Sequence, residues 1–215
     1  MTNIGGTAPK LTRATLGDAV RELTARDAGL ACIVAKHGPP PLWARPQGFA
    51  TLVRIILEQQ VSLQSAATLY RRLDLGVGGM TPTSVLQAGD SGLTSHGLTR
   101  QKARFVLALA EQVESGVLDL AALPRQPDAD VAAALMSVPG IGPWSASIYL
   151  LMALRRPDVW PPGDLALHKA LQELHRLPVL PRSDEAEYIA EQWSPWRAVA
   201  ARILWHDYLA SRGRS

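Results

Sequence analysis

Cysteine is almost absent: Cys32 is the single one in 215 residues. An intramolecular disulfide and any four-cysteine zinc or iron–sulfur site are thereby excluded. The five histidines (His37, His96, His168, His175 and His206) are scattered without the spacing of a zinc site. Long apolar runs are missing too. The longest, residues 146–154, follows a Gly-Pro break and stops at Arg155-Arg156, so it reads as a buried helix rather than a membrane span. The opening segment, MTNIGGTAPKLTRATLGDAV, has no signal-peptide core. No membrane partner is expected, and a cytoplasmic location is. Sustained alternation is absent, and hairpin turn signals are poor, which argues against a sheet. Charge of one sign is also scarce. A net +3, from 22 basic and 19 acidic residues, permits nucleic-acid binding without arguing for it, and makes a broad, purely electrostatic DNA coat a poor fit.

What is present is helical punctuation. Pro/Gly-rich breaks fall at 37–48, 74–82, 124–127, 139–143, 157–163 and 178–181. Residues 49–59 show an apolar helical stripe (Phe49, Leu52, Val53, Ile56, Leu57), and Ser62 caps a second helix running to residue 73. Thr99 caps 100–114, with Ala103, Val106, Leu107 and Ala110 inward. Asp128 or Asp130 caps a short helix ending near Ser137, and helices fit 144–154, 165–174, 184–192 and 195–210. The expectation is an all-α protein, one compact unit or two closely packed lobes, without internal repeat or long linker. Residues up to about Thr12 are expected to be loose.

Two stretches carry chemistry. In LMSVPGIGPWSASIYLLMAL (residues 135–154) a short helix ends, Pro139-Gly140-Ile141-Gly142 turns, and an apolar helix restarts. Gly140 and Gly142 free the backbone for positive φ and close approach. Amides at the start of the new helix suit a phosphate. A plain packing corner fits the same pattern. Downstream, Trp160-Pro161-Pro162-Gly163 forces a rigid turn and leaves Asp164 at a helix start. Asp164 is either an ordinary N-cap, or a carboxylate held against a developing positive charge, or both.

The hairpin, the Gly-Asp beyond it, and the blocks IILEQQVSLQSAATLYRRL (55–73), GLTRQKARFVLALAE (97–111) and EQWSPWRAVAARILWHDYL (191–209) together resemble the helix-hairpin-helix (HhH-GPD) DNA glycosylases. They look most like the inducible 3-methyladenine type. The similarity spans roughly residues 45–210, in several blocks in the right order. It implies a two-lobed helical fold with the active-site cleft between the lobes and no N-terminal mixed α/β domain. Residues 1–45 would add helix to the second lobe, 46–154 form the core lobe, and 155–215 complete the second. The implied activity is excision of alkylated bases from double-stranded DNA by a monomer, which in a bacterium would work at the nucleoid.

By the same resemblance Asp164 is catalytic and stabilises an oxocarbenium-like sugar. Where strand-nicking relatives place a Schiff-base lysine, this chain has Trp144, so an intact abasic strand is the expected product. Trp144 and Trp205 would form the base pocket with Ile148, which stands where some relatives carry tyrosine. Core packing is the alternative for each tryptophan. Trp193 and Trp196 are assigned to packing, and Trp43 and Trp160 are left unassigned. Gln60 sits at the wedge position, with Gln59 beside it; a polar pair at a helix end fits equally. Gly140 and Gly142 would touch phosphate. Backbone carbonyls of Met136, Val138 and Ile141 would hold a structural Na+ or K+. No other cofactor and no iron–sulfur cluster is implied. Glycosylases of other lesion classes and a non-catalytic binding module remain as alternatives.

Overall fold

The most apolar helical stretch of the sequence forms a helix with almost no solvent face. In the computed structural model, which describes residues 10–213, α3 (Phe49–Glu58) buries Phe49, Leu52, Val53, Ile55, Ile56 and Leu57. A helix apolar nearly all round belongs inside a bundle. Accordingly α4 (Leu63–Gly76), α6 (Arg100–Glu114) and α8 (Pro143–Ile148) pack on it. α5 (Pro82–Ser95), bent at Gly89, lies against α6, and α7 (Asp128–Met136) against α8. Together they make one unit, Arg45–Tyr149.

The second unit is assembled from the chain before Arg45 and the chain from Leu150 onward. It holds α1 (Arg13–Arg26), α2 (Ala28–His37), α9 (Leu165–His175), α10 (Ser183–Glu191) and α11 (Arg197–Ala210). α11 is its centre and is buried continuously from Ala198 to Trp205; α1, α2, α9 and α10 all touch it. Ala198, Ala200 and Ala201 let neighbouring backbones come close. Arg202 is fully buried, and its guanidinium donates to the carbonyls of Leu42, Ala198 and Leu151 at 2.9, 2.8 and 2.7 Å. Burial pulls its pKa down to about 10, so it is still cationic at neutral pH.

Ser62 and Thr99 cap α4 and α6 through their side chains, as the sequence indicates. Other details differ. Neither Asp128 nor Asp130 is the N-cap of α7; that position is Pro127, with Asp128 the first helical residue. The 144–154 segment is α8 followed by a π-helical turn over Tyr149–Ala153, inside which the chain leaves the first unit. α5 falls partly on a stretch read as a break, because Pro82 stands at the first helical position, where its missing N–H costs nothing. Of the segment expected to be loose, residues 1–9 lie outside the described residues. Leu11 is 1% exposed and donates its N–H to the Arg155 carbonyl, and Thr12 caps α1. Among the described residues there is no strand, and no helix long and apolar enough to cross a membrane.

Candidate functional site

In the first unit α7, the following turn and α8 form the hairpin. The turn closes with Val138 N–H on the Leu135 carbonyl and Ile141 N–H on the Val138 carbonyl, both at 3.1 Å. Val138 and Ile141 point inward, at 1% and 4% exposure. The two glycines differ in what requires them. Gly140 has φ 88°, and a Cβ there would stand 2.2 Å from the Phe105 ring. Gly142 is extended at φ −94°, and a Cβ there would meet nothing within 4 Å. Positive φ therefore belongs to Gly140 alone. Gly142 keeps the space beside the backbone open.

The α3–α4 turn is tied to this hairpin. The Gln59 side-chain amide donates to the Gly140 carbonyl at 2.8 Å and to Ser145 Oγ at 2.9 Å. Half-buried Gln59 thus spends its donors inside the unit rather than on a surface. Gln60 is exposed and takes the left-handed conformation at φ 59°. That costs a non-glycine residue roughly 1–2 kcal/mol and persists only if neighbours hold it. Lys102 Nζ donates to the carbonyls of Leu57 and Gln59 at 2.8 and 3.0 Å. Burial lowers the Lys102 pKa. Helical spacing offered no sign of this role, because the partners are main-chain atoms of another helix.

Just before the turn, buried Glu58 receives Arg45 on both oxygens (2.8 and 3.0 Å) and Arg54 Nε at 3.1 Å. A buried carboxylate needs such pairing. The lone acid of α3, one turn after Arg54 in a largely apolar helix, was the available sequence signal. Trp144, at the start of α8, is half-buried, and Ile148 is closed in at 2% exposure. For a cation, the hairpin offers neutral carbonyls. Met136 ends α7, so its carbonyl lies past the last helical donor, and Val138 and Ile141 follow in the turn. These oxygens suit a monovalent ion. Among the described residues no cluster of three or more His, Cys, Asp or Glu exists.

In the second unit Asp164 stands at the N-cap of α9, behind Pro161-Pro162-Gly163, with Gly163 at φ 70°. Its Oδ1 accepts the Leu167 N–H at 3.0 Å and the Trp205 indole N–H at 3.2 Å. One oxygen with two fixed donors sets the orientation of the carboxylate. Trp205, 8% exposed, therefore turns its indole edge to Asp164. The other tryptophans of the unit meet other partners. Trp193, fully buried, donates to Asp27 at 2.7 Å, Trp196 donates to Glu22 at 2.7 Å, and Trp160 packs 5.9 Å from Trp193. Trp43 meets His206 edge-on at 6.3 Å. His168, one turn beyond Asp164, is buried.

A family model described as the HhH-GPD superfamily base excision DNA repair protein matches residues 53–195. The chain belongs to this superfamily. A Bacillus subtilis protein provisionally named a DNA-3-methyladenine glycosylase is 26% identical over 186 residues, covering 83% of this chain and 65% of its own length. DNA-3-methyladenine glycosylase 1 of Schizosaccharomyces pombe is 25% identical over 177 residues, covering 80% and 78%. The crystal structure of a Bacillus halodurans DNA-3-methyladenine glycosidase superposes with a TM-score of 0.75, at 28% identity and 91% coverage of each chain. The chain thus spans somewhat less than two thirds of the first of these relatives. The matched residues include the α7–α8 turn.

Proposed function

We propose that this HhH-GPD protein is a monofunctional DNA glycosylase that flips alkylated bases, such as 3-methyladenine, out of double-stranded DNA and hydrolyses the N-glycosidic bond. The observation that carries the reading is the Asp164 carboxylate, fixed by the Leu167 amide and the Trp205 indole. Bond cleavage builds positive charge on the sugar, and a preoriented carboxylate stabilises it without having to reorganise. N3- or N7-alkylation already makes the purine cationic, so the leaving group departs without strong protonation. Trp205, held beside Asp164, is the aromatic face offered to the base. A desolvated cationic base on an aromatic face gains about 1–2 kcal/mol that a normal base does not.

Trp144 occupies the position of the Schiff-base lysine, so the product is an abasic site in an unbroken strand. The extended Gly142 backbone is the phosphate contact of the hairpin and reads no sequence. The carbonyls of Met136, Val138 and Ile141 would hold Na+ or K+, which supplies positive charge for a phosphate. The protein acts as a monomer. Base release from methylated duplex DNA tests the reading, with strand nicking scored separately. Wild type releases methylated bases without nicking. Asp164→Asn binds duplex and releases bases at least about 10²-fold more slowly. Binding without release of any alkylated base by wild type would hand the site to another lesion or to a non-catalytic role.

A further inference from the structure

The four residues between α3 and α4 are held from two sides by groups that sequence spacing leaves out. α3 ends at Glu58 and Ser62 caps α4, so Gln59, Gln60 and Val61 form the turn proper. On one side the Lys102 ammonium of α6 bridges the Leu57 and Gln59 carbonyls, 2.8 and 3.0 Å away. The last carbonyls of a helix lack helical donors and favour a cation. On the other side the Gln59 amide donates to the Gly140 carbonyl and Ser145 Oγ. Between these anchors Gln60 is exposed in a left-handed conformation, and Val61 and Leu63 beside it are 45% and 58% exposed. Apolar side chains left in solvent on a braced turn suit a segment that enters a base stack.

We propose that Lys102 and Gln59 are positioning residues that lock this turn to the hairpin, fixing the spacing between the inserted Gln60 and the phosphate-binding backbone. The proposal rests on the reading of the chain as a base-flipping glycosylase. It assigns the Lys102 charge to protein carbonyls rather than to DNA phosphate, and it makes Gln59 a strut instead of a DNA contact. Loosening either anchor slows base flipping and leaves the electrostatic part of binding alone.

The test compares full-length wild type with Lys102→Met, Lys102→Arg and Gln59→Leu. The readouts are amide hydrogen exchange at Gln60 and Val61, fluorescence of 2-aminopurine flanking an abasic-site analogue, single-turnover release of methylated bases, and the salt dependence of binding to undamaged duplex. Lys102→Met and Gln59→Leu are expected to exchange these amides faster and to flip and excise about tenfold more slowly. Their salt slope is unchanged, and Lys102→Arg, which can still bridge two carbonyls, restores most of the loss. A slope reduced by about 0.9 in Lys102→Met would make this lysine a phosphate contact and overturn the assignment. Unchanged flipping in both neutral variants, with wild type active, would overturn it as well. If Lys102→Met does not fold, Gln59→Leu carries the same comparison. Faster exchange in the variants of a wild type that excises nothing would retain the clamp and reject the glycosylase reading instead.

Discussion

The starts of α2 and α9 use the same local design in different surroundings. Asp27 caps α2, accepting the Leu30 N–H on Oδ1 at 2.9 Å, and takes the Trp193 indole on Oδ2 at 2.7 Å. Asp164 caps α9 and also takes an indole, that of Trp205, but Leu167 and Trp205 share its Oδ1. What leads into each aspartate differs as well. Asp27 is the single residue joining α1 to α2, its own N–H still bonded to the Leu23 carbonyl. Asp164 follows two prolines and a left-handed glycine, and its neighbour Leu165 is 56% exposed. A capping aspartate with an indole donor is thus not by itself a mark of catalysis; at Asp164 both donors converge on one oxygen, at Asp27 they divide between two. The surroundings differ: a one-residue helix joint at Asp27, a turn led in by two prolines and a left-handed glycine at Asp164.

The strongest way to break this comparison is to neutralise both aspartates. Asp164→Asn should cut base release by about 10²–10³-fold with its unfolding midpoint little changed. Asp27→Asn should keep base release within about twofold and lose roughly 1–3 kcal/mol in urea melts, the worth of hydrogen bonds to a charged acceptor. A large activity loss in Asp27→Asn would erase the distinction.

The indoles sharpen it. Trp205→Phe removes the donor that orients Asp164 and should slow release about tenfold, or about 1.4 kcal/mol of barrier. Trp193→Phe should lower stability by roughly 1–3 kcal/mol and leave the rate alone. Equal rate losses in single-turnover assays would show that both tryptophans act only through the fold.

A third carboxylate gives the smallest effect. Burial pushes the Asp158 carboxyl up, but hydrogen bonds from the Arg197 side chain and N–H, the Arg197 charge and the Ser194 hydroxyl outweigh that and hold it below 3.8. A carboxyl depressed in this way stabilises the fold above its unfolded value and ceases to do so as pH falls through the folded one. Asp158→Asn should cost about 1 kcal/mol at neutral pH, given a partly exposed pair. The difference from wild type should vanish as acid titrations pass below 3.8. A pH-independent difference would place the loss in packing.

Much of the helical plan was legible because its signals are local. The stripe of α3, the Ser62 and Thr99 caps and the start of α9 each depend on residues within a turn or two of one another. α5 was missed because its Gly89 bend and polar composition blur the helical period, and Pro82 serves as a starter rather than a stop. The π-helical turn after α8 leaves the same apolar run that an ordinary helix would. Gly140 and Gly142 looked equivalent in sequence, yet φ and the Phe105 ring make only the first obligatory for the turn.

The sequence by itself determined the helical class, the hairpin and the placing of Asp164 at a helix start, since period, turn residues and caps act over a few neighbours. Only the tertiary structure decided what fixes those parts. Gln59 reaches Gly140 across 81 residues, Lys102 reaches Gln59 across 43, Trp205 reaches Asp164 across 41, and Trp193 reaches Asp27 across 166. Such pairs leave no periodic trace in the chain. They form when packed helices bring distant donors to carbonyls and carboxylates that burial would otherwise leave unsatisfied.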